Sequence, residues 1–126
     1  MQVFEGEEKL LKHAESFSRR VEKINDRVYF FAGFGGSNMT AVIGGDSCVL
    51  IDTLNGKEVA EAALTELRKI TDKPVKTIIY THTHFDHTAG AGVFAEKDTE
   101  IIAHTYKTQV YGSSQLIGHI SQKRGM

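Results

Sequence analysis

Cysteine is nearly absent from this sequence: Cys48 stands alone among 126 residues. A lone cysteine excludes an intramolecular disulfide and fits a reducing compartment. It lies in the apolar stretch "DSCVLIDT", with no histidine near it in sequence, and is expected to be a buried structural thiol rather than a nucleophile. An excess of either charge is also missing. Fifteen basic residues face 16 acidic ones, for a net charge of −1. No basic face is implied, so nucleic acid is not expected as a partner. No apolar run approaches the roughly 20 residues that span a bilayer. The opening "MQVFEGEEKL" is acidic and has no apolar signal core. A cytoplasmic location is therefore expected, a processed leader aside. No linker, repeat or low-complexity block divides the chain, and its length suits one domain with one modest core.

What is present reads as alternating strands and helices. Leu10, Leu11, Ala14 and Phe17 fall at helical spacing within "GEEKLLKHAESFS". This predicts an N-terminal helical extension over residues 1–20, packing on the domain or joining it to a neighbour. Residues 21–126 form the domain proper. "RRVEKINDRVYFFA" predicts a short strand, a turn at Asn25–Asp26 and a second strand over Val28–Ala32. "GFGGSN" is a bend whose glycines permit close backbone approach, and no lysine and serine follow it in a phosphate-loop pattern. Thr40–Ile43 and Ser47–Ile51 pair as a hairpin around Gly44, Gly45 and Asp46. "NGKEVAEAALTELRKI" is the clearest helix, with Val59, Ala63, Leu67 and Ile70 on one face and Ala60 and Leu64 widening it. "VKTIIY" is an apolar strand, "TAGAGVFAEK" starts another helix, and "TEIIAH" ends in a buried strand. The tail after His104 is weakly helical. The order predicts an α/β (layered α+β) fold with helices covering a sheet.

Directly after "VKTIIY" comes "THTHFDHTAG", with His82, His84, Asp86 and His87 inside six positions. Strand ends in α/β proteins are where ligands collect. On an extended backbone His82 and His84 point the same way and can bind one metal. Asp86 and His87 follow after a turn and suit a second metal nearby. Imidazole and carboxylate donors favour zinc, with iron or manganese also compatible. Two metals about 3.5–4 Å apart polarise a substrate and share a hydroxide, which points to hydrolysis. Asp86 is also the catalytic candidate, orienting the water if a single metal binds. The small residues Thr88 to Gly92 let the following helix approach closely. Asp52 ends the strand "SCVLID", where it can accept a hydrogen bond from a ligand imidazole. The rival role is capping the helix that follows, for which Thr53 and Asn55 also compete.

With these residues in place, the chain resembles a metallo-β-lactamase-fold hydrolase, through His82-x-His84-x-Asp86-His87 after a buried strand and "VLIDT" with Asp52 before it. "GGSNMTAVIGGDSCVLIDTLNGKEVAEAALTELRK" and "PVKTIIYTHTHFDHTAGAGVF" are most similar to the alkylsulfatase branch, over about Val21 to His104. The resemblance implies an αβ/βα architecture of two sheets between outer helices, of which this chain supplies the N-terminal αβ half. It implies two zinc ions in the complete enzyme and hydrolysis of alkyl sulfate esters. Further metal ligands would come from beyond the signature. His104 and His119 are the only histidines downstream, and His104 follows "EIIA" as an ordinary strand end would. The chain alone is therefore expected to be inactive or weakly active, completed by a missing C-terminal half or paired as a homodimer. Hydrolysis of lactams, lactones or thioesters, and a noncatalytic metal-binding or dimeric interaction module, stay open as alternatives.

Overall fold

Short runs containing β-branched and aromatic residues set the first four strands, and a computed structural model describes residues 5–105 of the chain. Strand β1 (Arg20–Lys23), β2 (Val28–Ala32), β3 (Met39–Ile43) and β4 (Cys48–Ile51) form an antiparallel meander. The first turn is made by Asn25, whose Oδ1 accepts the backbone N–H groups of Arg27 and Val28, both at 2.9 Å. An asparagine side chain mimics a backbone turn in this way. The β3–β4 turn is closed by Gly44 N–H donating to Ser47 O at 2.8 Å. Both hairpins follow the sequence reading to within a residue.

The chain then changes direction rule. Strand β5 (Val75–Ile79) lies parallel to β4, and β6 (Glu100–Ile102) lies parallel to β5. Parallel neighbours need a crossover. Helix α2 (Lys57–Ile70) supplies the first. The second carries two single-turn helices, α3 (Phe85–Thr88) and α4 (Ala91–Phe94). The sheet order is β1-β2-β3-β4-β5-β6.

One face of the sheet carries the core. Ala41, Leu50, Ile78 and Ile101 pair in a row across β3 to β6 and are all buried. Ala60, Ala63 and Leu67 of α2 and Ala91 and Phe94 of α4 complete this cluster. Each large apolar side chain buried there contributes about 1.5–3 kcal/mol. Cys48 is part of the same cluster, and its burial pushes the thiol's pKa up. The opposite face presents a second apolar row: Phe30, Thr40, Ile51, Ile79 and Ile102. That row is half-buried, with Ile102 the most open at 46% exposure.

Two details differ from the sequence reading. The N-terminal segment is helical over Glu5–Ala14 (α1) and continues as a 3-10 turn over Glu15–Phe17. Its apolar stripe stays in solvent rather than closing on the sheet, with Leu10, Leu11 and Phe17 all at least 60% exposed. The helix expected from "TAGAGVFAEK" is only the single turn α4, and the signature itself, expected to be a loop, holds the turn α3. His119 and the tail, for which a weak helix was expected, fall outside the described residues. No described helix is long and apolar enough to cross a membrane.

Candidate metal centre

Because β4 and β5 are parallel, the segments that leave them emerge at the same edge of the sheet. Asp52, the residue after β4, takes a left-handed backbone with φ of 62°, and Leu54 does so again at 67°. Such a conformation costs roughly 1–3 kcal/mol for a residue other than glycine, so it must be held in place. Asp52 N–H donates to Ile79 O at 2.8 Å, and Thr53 donates its N–H (2.8 Å) and hydroxyl (3.1 Å) to His87 O. Gly90 N–H donates to Leu54 O at 3.3 Å. The turn after β4 and the loop after β5 are thereby stitched together.

The turn aims the Asp52 carboxylate at that loop. Oδ1 accepts the Thr81 N–H at 2.8 Å, and Oδ2 accepts the Thr81 hydroxyl at 2.7 Å. His87 Nδ1 also lies 2.7 Å from Oδ2. Asp52 is only 5% exposed, and a carboxylate that deep requires such partners. Its rival role as a helix cap is not used. Gly56 occupies the N-cap of α2, without a side-chain cap hydrogen bond.

Of the signature residues, His82 and His87 bring ligand atoms together with Asp52, while His84 lies beside His82 and Asp86 beside His87 without joining that group. The His82 ring centroid lies 4.0 Å from that of His87 and 4.7 Å from that of His84. Asp86 Oδ2 lies 3.4 Å from His87 Nε2. One potential ligand atom from each of Asp52, His82 and His87 falls within 4.8 Å of the others. His82 and His84 are exposed at the mouth, whereas His87 is half-buried below them. His104 sits just past β6, exposed, and is not part of that cluster.

The route to this convergence differs from the expected one. Residues 81–83 bend instead of continuing the strand, and only His84 is extended, at φ −65° and ψ 141°. The sheet ladder ends at Tyr80, whose N–H still donates to Ile102 O at 2.9 Å. At Thr81 the Asp52 side chain takes over the N–H that a neighbouring strand would have accepted. Alternation therefore does not bring His82 and His84 together; the bend does.

One supporting contact carries no signal in sequence. The Ser37 hydroxyl donates to the Asp86 carbonyl, 49 positions away. Asn55 Oδ1 accepts the Gly36 N–H at 3.3 Å, and a Cβ on Gly35 would meet that oxygen at 1.9 Å. The glycines of "GFGGSN" do serve a close approach, toward the turn that follows Asp52. Gly90 is tighter still. A Cβ there would lie 2.0 Å from Thr53 O and 2.7 Å from Ala60 Cβ. Its φ of −83° suits any residue, so contact alone demands glycine. Gly90→Ala is accordingly expected to cost about 3 kcal/mol, at the upper end for overpacking, because a backbone oxygen cannot swing aside. Urea unfolding measures it. An unchanged midpoint would mean that these two segments separate more freely than the contact implies.

Across residues 32–122 the chain matches the family model of the Metallo-beta-lactamase superfamily. The chain belongs to that superfamily. Among its relatives is the alkyl/aryl-sulfatase BDS1 of Saccharomyces cerevisiae, 44% identical over 80 residues, which are 62% of this chain and 12% of that protein. The stereoselective inverting sec-alkylsulfatase Pisa1 from Pseudomonas sp. superposes with a TM-score of 0.70 at 27% identity, over 79% of this chain and 17% of that one. The DIM-1 metallo-β-lactamase shares the fold, with a TM-score of 0.61 at 21% identity over 77% of this chain and 48% of that one. The chain thus spans a small part of the alkylsulfatases it matches and about half of a metallo-β-lactamase. Superfamily membership implies a divalent metal, and the donors brought together among the described residues, the imidazoles of His82 and His87 with the buried carboxylate of Asp52, are of a kind that could hold one.

Proposed function

We propose that this chain carries part of the active site of a zinc-dependent hydrolase acting on alkyl sulfate esters, and that it corresponds to the N-terminal αβ half of the catalytic domain. The observation that carries this reading is the approach of His82 and His87 to the buried Asp52, with His84 beside His82 and Asp86 beside His87. His82 and His84 would hold one zinc ion and Asp86 and His87 a second. Zinc, when bound, supplies Lewis acidity and lowers the pKa of water toward ~7. The chain's own residues do the positioning. Asp52 orients the His87 ring through Nδ1, and Ser37 holds the backbone of Asp86, whose carboxylate would orient the attacking water if a single metal binds. The alkyl sulfate as substrate class rests on the named activities of the alkylsulfatase relatives.

Ligand count separates the chain from the whole catalyst. A zinc site usually has three or four protein ligands, and four residues shared between two ions fall short. The second apolar row on the sheet, Phe30 to Ile102, favours a further layer that would bring the rest. The same shortfall favours a second reading, a noncatalytic module that takes up metal without turnover. The test is zinc-dependent release of sulfate from an alkyl sulfate, measured for the 126-residue chain and for a version extended by a C-terminal αβ half. Release by the extended protein, at least a hundredfold faster than by the chain, is expected. Similar rates from both would overturn the half-site reading. Metal uptake with no release by either would establish the module, and turnover of a different ester would replace the substrate class.

A further inference from the structure

The hydrogen bonds behind the imidazoles contain a constraint that ligand geometry alone does not. We propose that Thr81 is a positioning residue whose hydroxyl links Asp52 to His82, so that one buried carboxylate sets the tautomer of two candidate ligand rings. The proposal rests on the metal-site reading above.

An ionised carboxylate only accepts hydrogen bonds. At 2.7 Å from Asp52 Oδ2, the Thr81 hydroxyl must therefore donate. A hydroxyl has one hydrogen. Toward His82 Nδ1, 2.8 Å away on its other side, the same oxygen can only accept. His82 Nδ1 must then carry the proton, and in a neutral imidazole that leaves Nε2 with a free lone pair. His87 reaches the same state directly, since its Nδ1 lies 2.7 Å from the same Oδ2 and must donate to it. Two rings with centroids 4.0 Å apart are both left with a basic Nε2. The relay is rigid at each joint. Thr81 is pinned by its own N–H to Asp52 Oδ1 at 2.8 Å, and its branched Cβ restricts the hydroxyl to few directions. Without that hydroxyl nothing on this side of the ring favours the Nδ1–H form of His82. The exposed ring would then populate the Nε2–H form, whose Nε2 cannot bind a metal.

The test compares wild type, Thr81→Val and Thr81→Ser as the full 126-residue chain. The first readout is the side-chain nitrogen NMR spectrum of the metal-free protein, at a pH well above the ~6.5 of a free imidazole. Wild type and T81S are expected to show the Nδ1–H tautomer for both His82 and His87. T81V is expected to retain it at His87 and lose it at His82, and the retained His87 signal shows that the site is still folded. The second readout is zinc affinity by competition with a chelator. T81V is expected to bind about 10–100-fold more weakly, the usual effect of removing a residue that orients a ligand, with T81S restoring wild-type affinity. An Nε2–H His82 in wild type, or a T81V protein with unchanged tautomer and affinity, would overturn the relay. If T81V fails to fold, T81S decides alone: a serine that loses the His82 tautomer while staying folded overturns the proposal. A wild-type chain that shows both Nδ1–H tautomers but takes up no zinc upholds the relay and sinks the metal reading instead.

Discussion

Asp52→Ala is expected to destabilise the chain by roughly 4 kcal/mol and to abolish the metal site with it. The carboxylate holds three groups of the loop. It accepts the Thr81 N–H and hydroxyl and faces His87 Nδ1. Hydrogen bonds to a charged group contribute about 1.5–3 kcal/mol each, without strict additivity. Alanine is also less at ease than aspartate at a φ of 62°, by about 1 kcal/mol. Against a total stability of about 5–15 kcal/mol this is a large fraction. Asp52→Asn separates fold from site. It keeps one oxygen for the Thr81 N–H and tolerates the left-handed backbone. Its amide then donates where Oδ2 accepted, which turns His87 to the Nε2–H form. A modest shift in the urea midpoint, combined with zinc binding about 10–100-fold weaker, is the expected pattern. If D52A lowers stability by less than about 1 kcal/mol, Asp52 is not the anchor described.

The double substitution His82→Ala with His84→Ala is expected to do the opposite: remove the metal and leave the fold. Both rings are exposed, and neither belongs to the core cluster. Surface changes of this kind usually stay within about 0.5 kcal/mol. Their donors, however, would be two of only four local ligands. Zinc retained after dialysis should fall to background in the double variant, while the unfolding midpoint stays near that of wild type. Equal zinc content in the two proteins would remove His82 and His84 from the site. A large loss of stability would show that the rings hold the loop together even without metal.

The signature and its strand were legible because both are local. "VKTIIY" is apolar and short, and four ligand-type residues follow it within six positions. Asp52 stood out for a similar reason, as a carboxylate at the end of an apolar run. Helix α2 announced its buried face, and Ala60, Ala63 and Leu67 are indeed its buried residues. What was not legible depends on contacts distant in sequence. The bend at residues 81–83 arises because a carboxylate 29 positions earlier takes the Thr81 N–H. The close approach of Gly90 to Thr53 O depends on a segment far away in sequence, and the Ser37 bond to Asp86 spans an even longer separation. The N-terminal stripe shows the complementary limit. Spacing reveals that Leu10, Leu11 and Phe17 share a face, but not what that face meets.

The sheet also has a temporal consequence. Each strand lies beside its neighbour in sequence, from β1 to β6, so none is inserted between two that follow it. A ribosome delivers the chain from the N-terminus, at about 5–20 residues per second. The β1–β4 meander closes only short loops, which is entropically cheap, and needs nothing that has not yet been synthesised. Asp52 leaves the ribosome with that meander already behind it. His82 and His87 reach it only after α2 has crossed over and β5 has docked. Metal capacity thus reaches this stretch of polypeptide only once the meander is in place and β5 has docked, with β6 still to be added at the edge of the sheet.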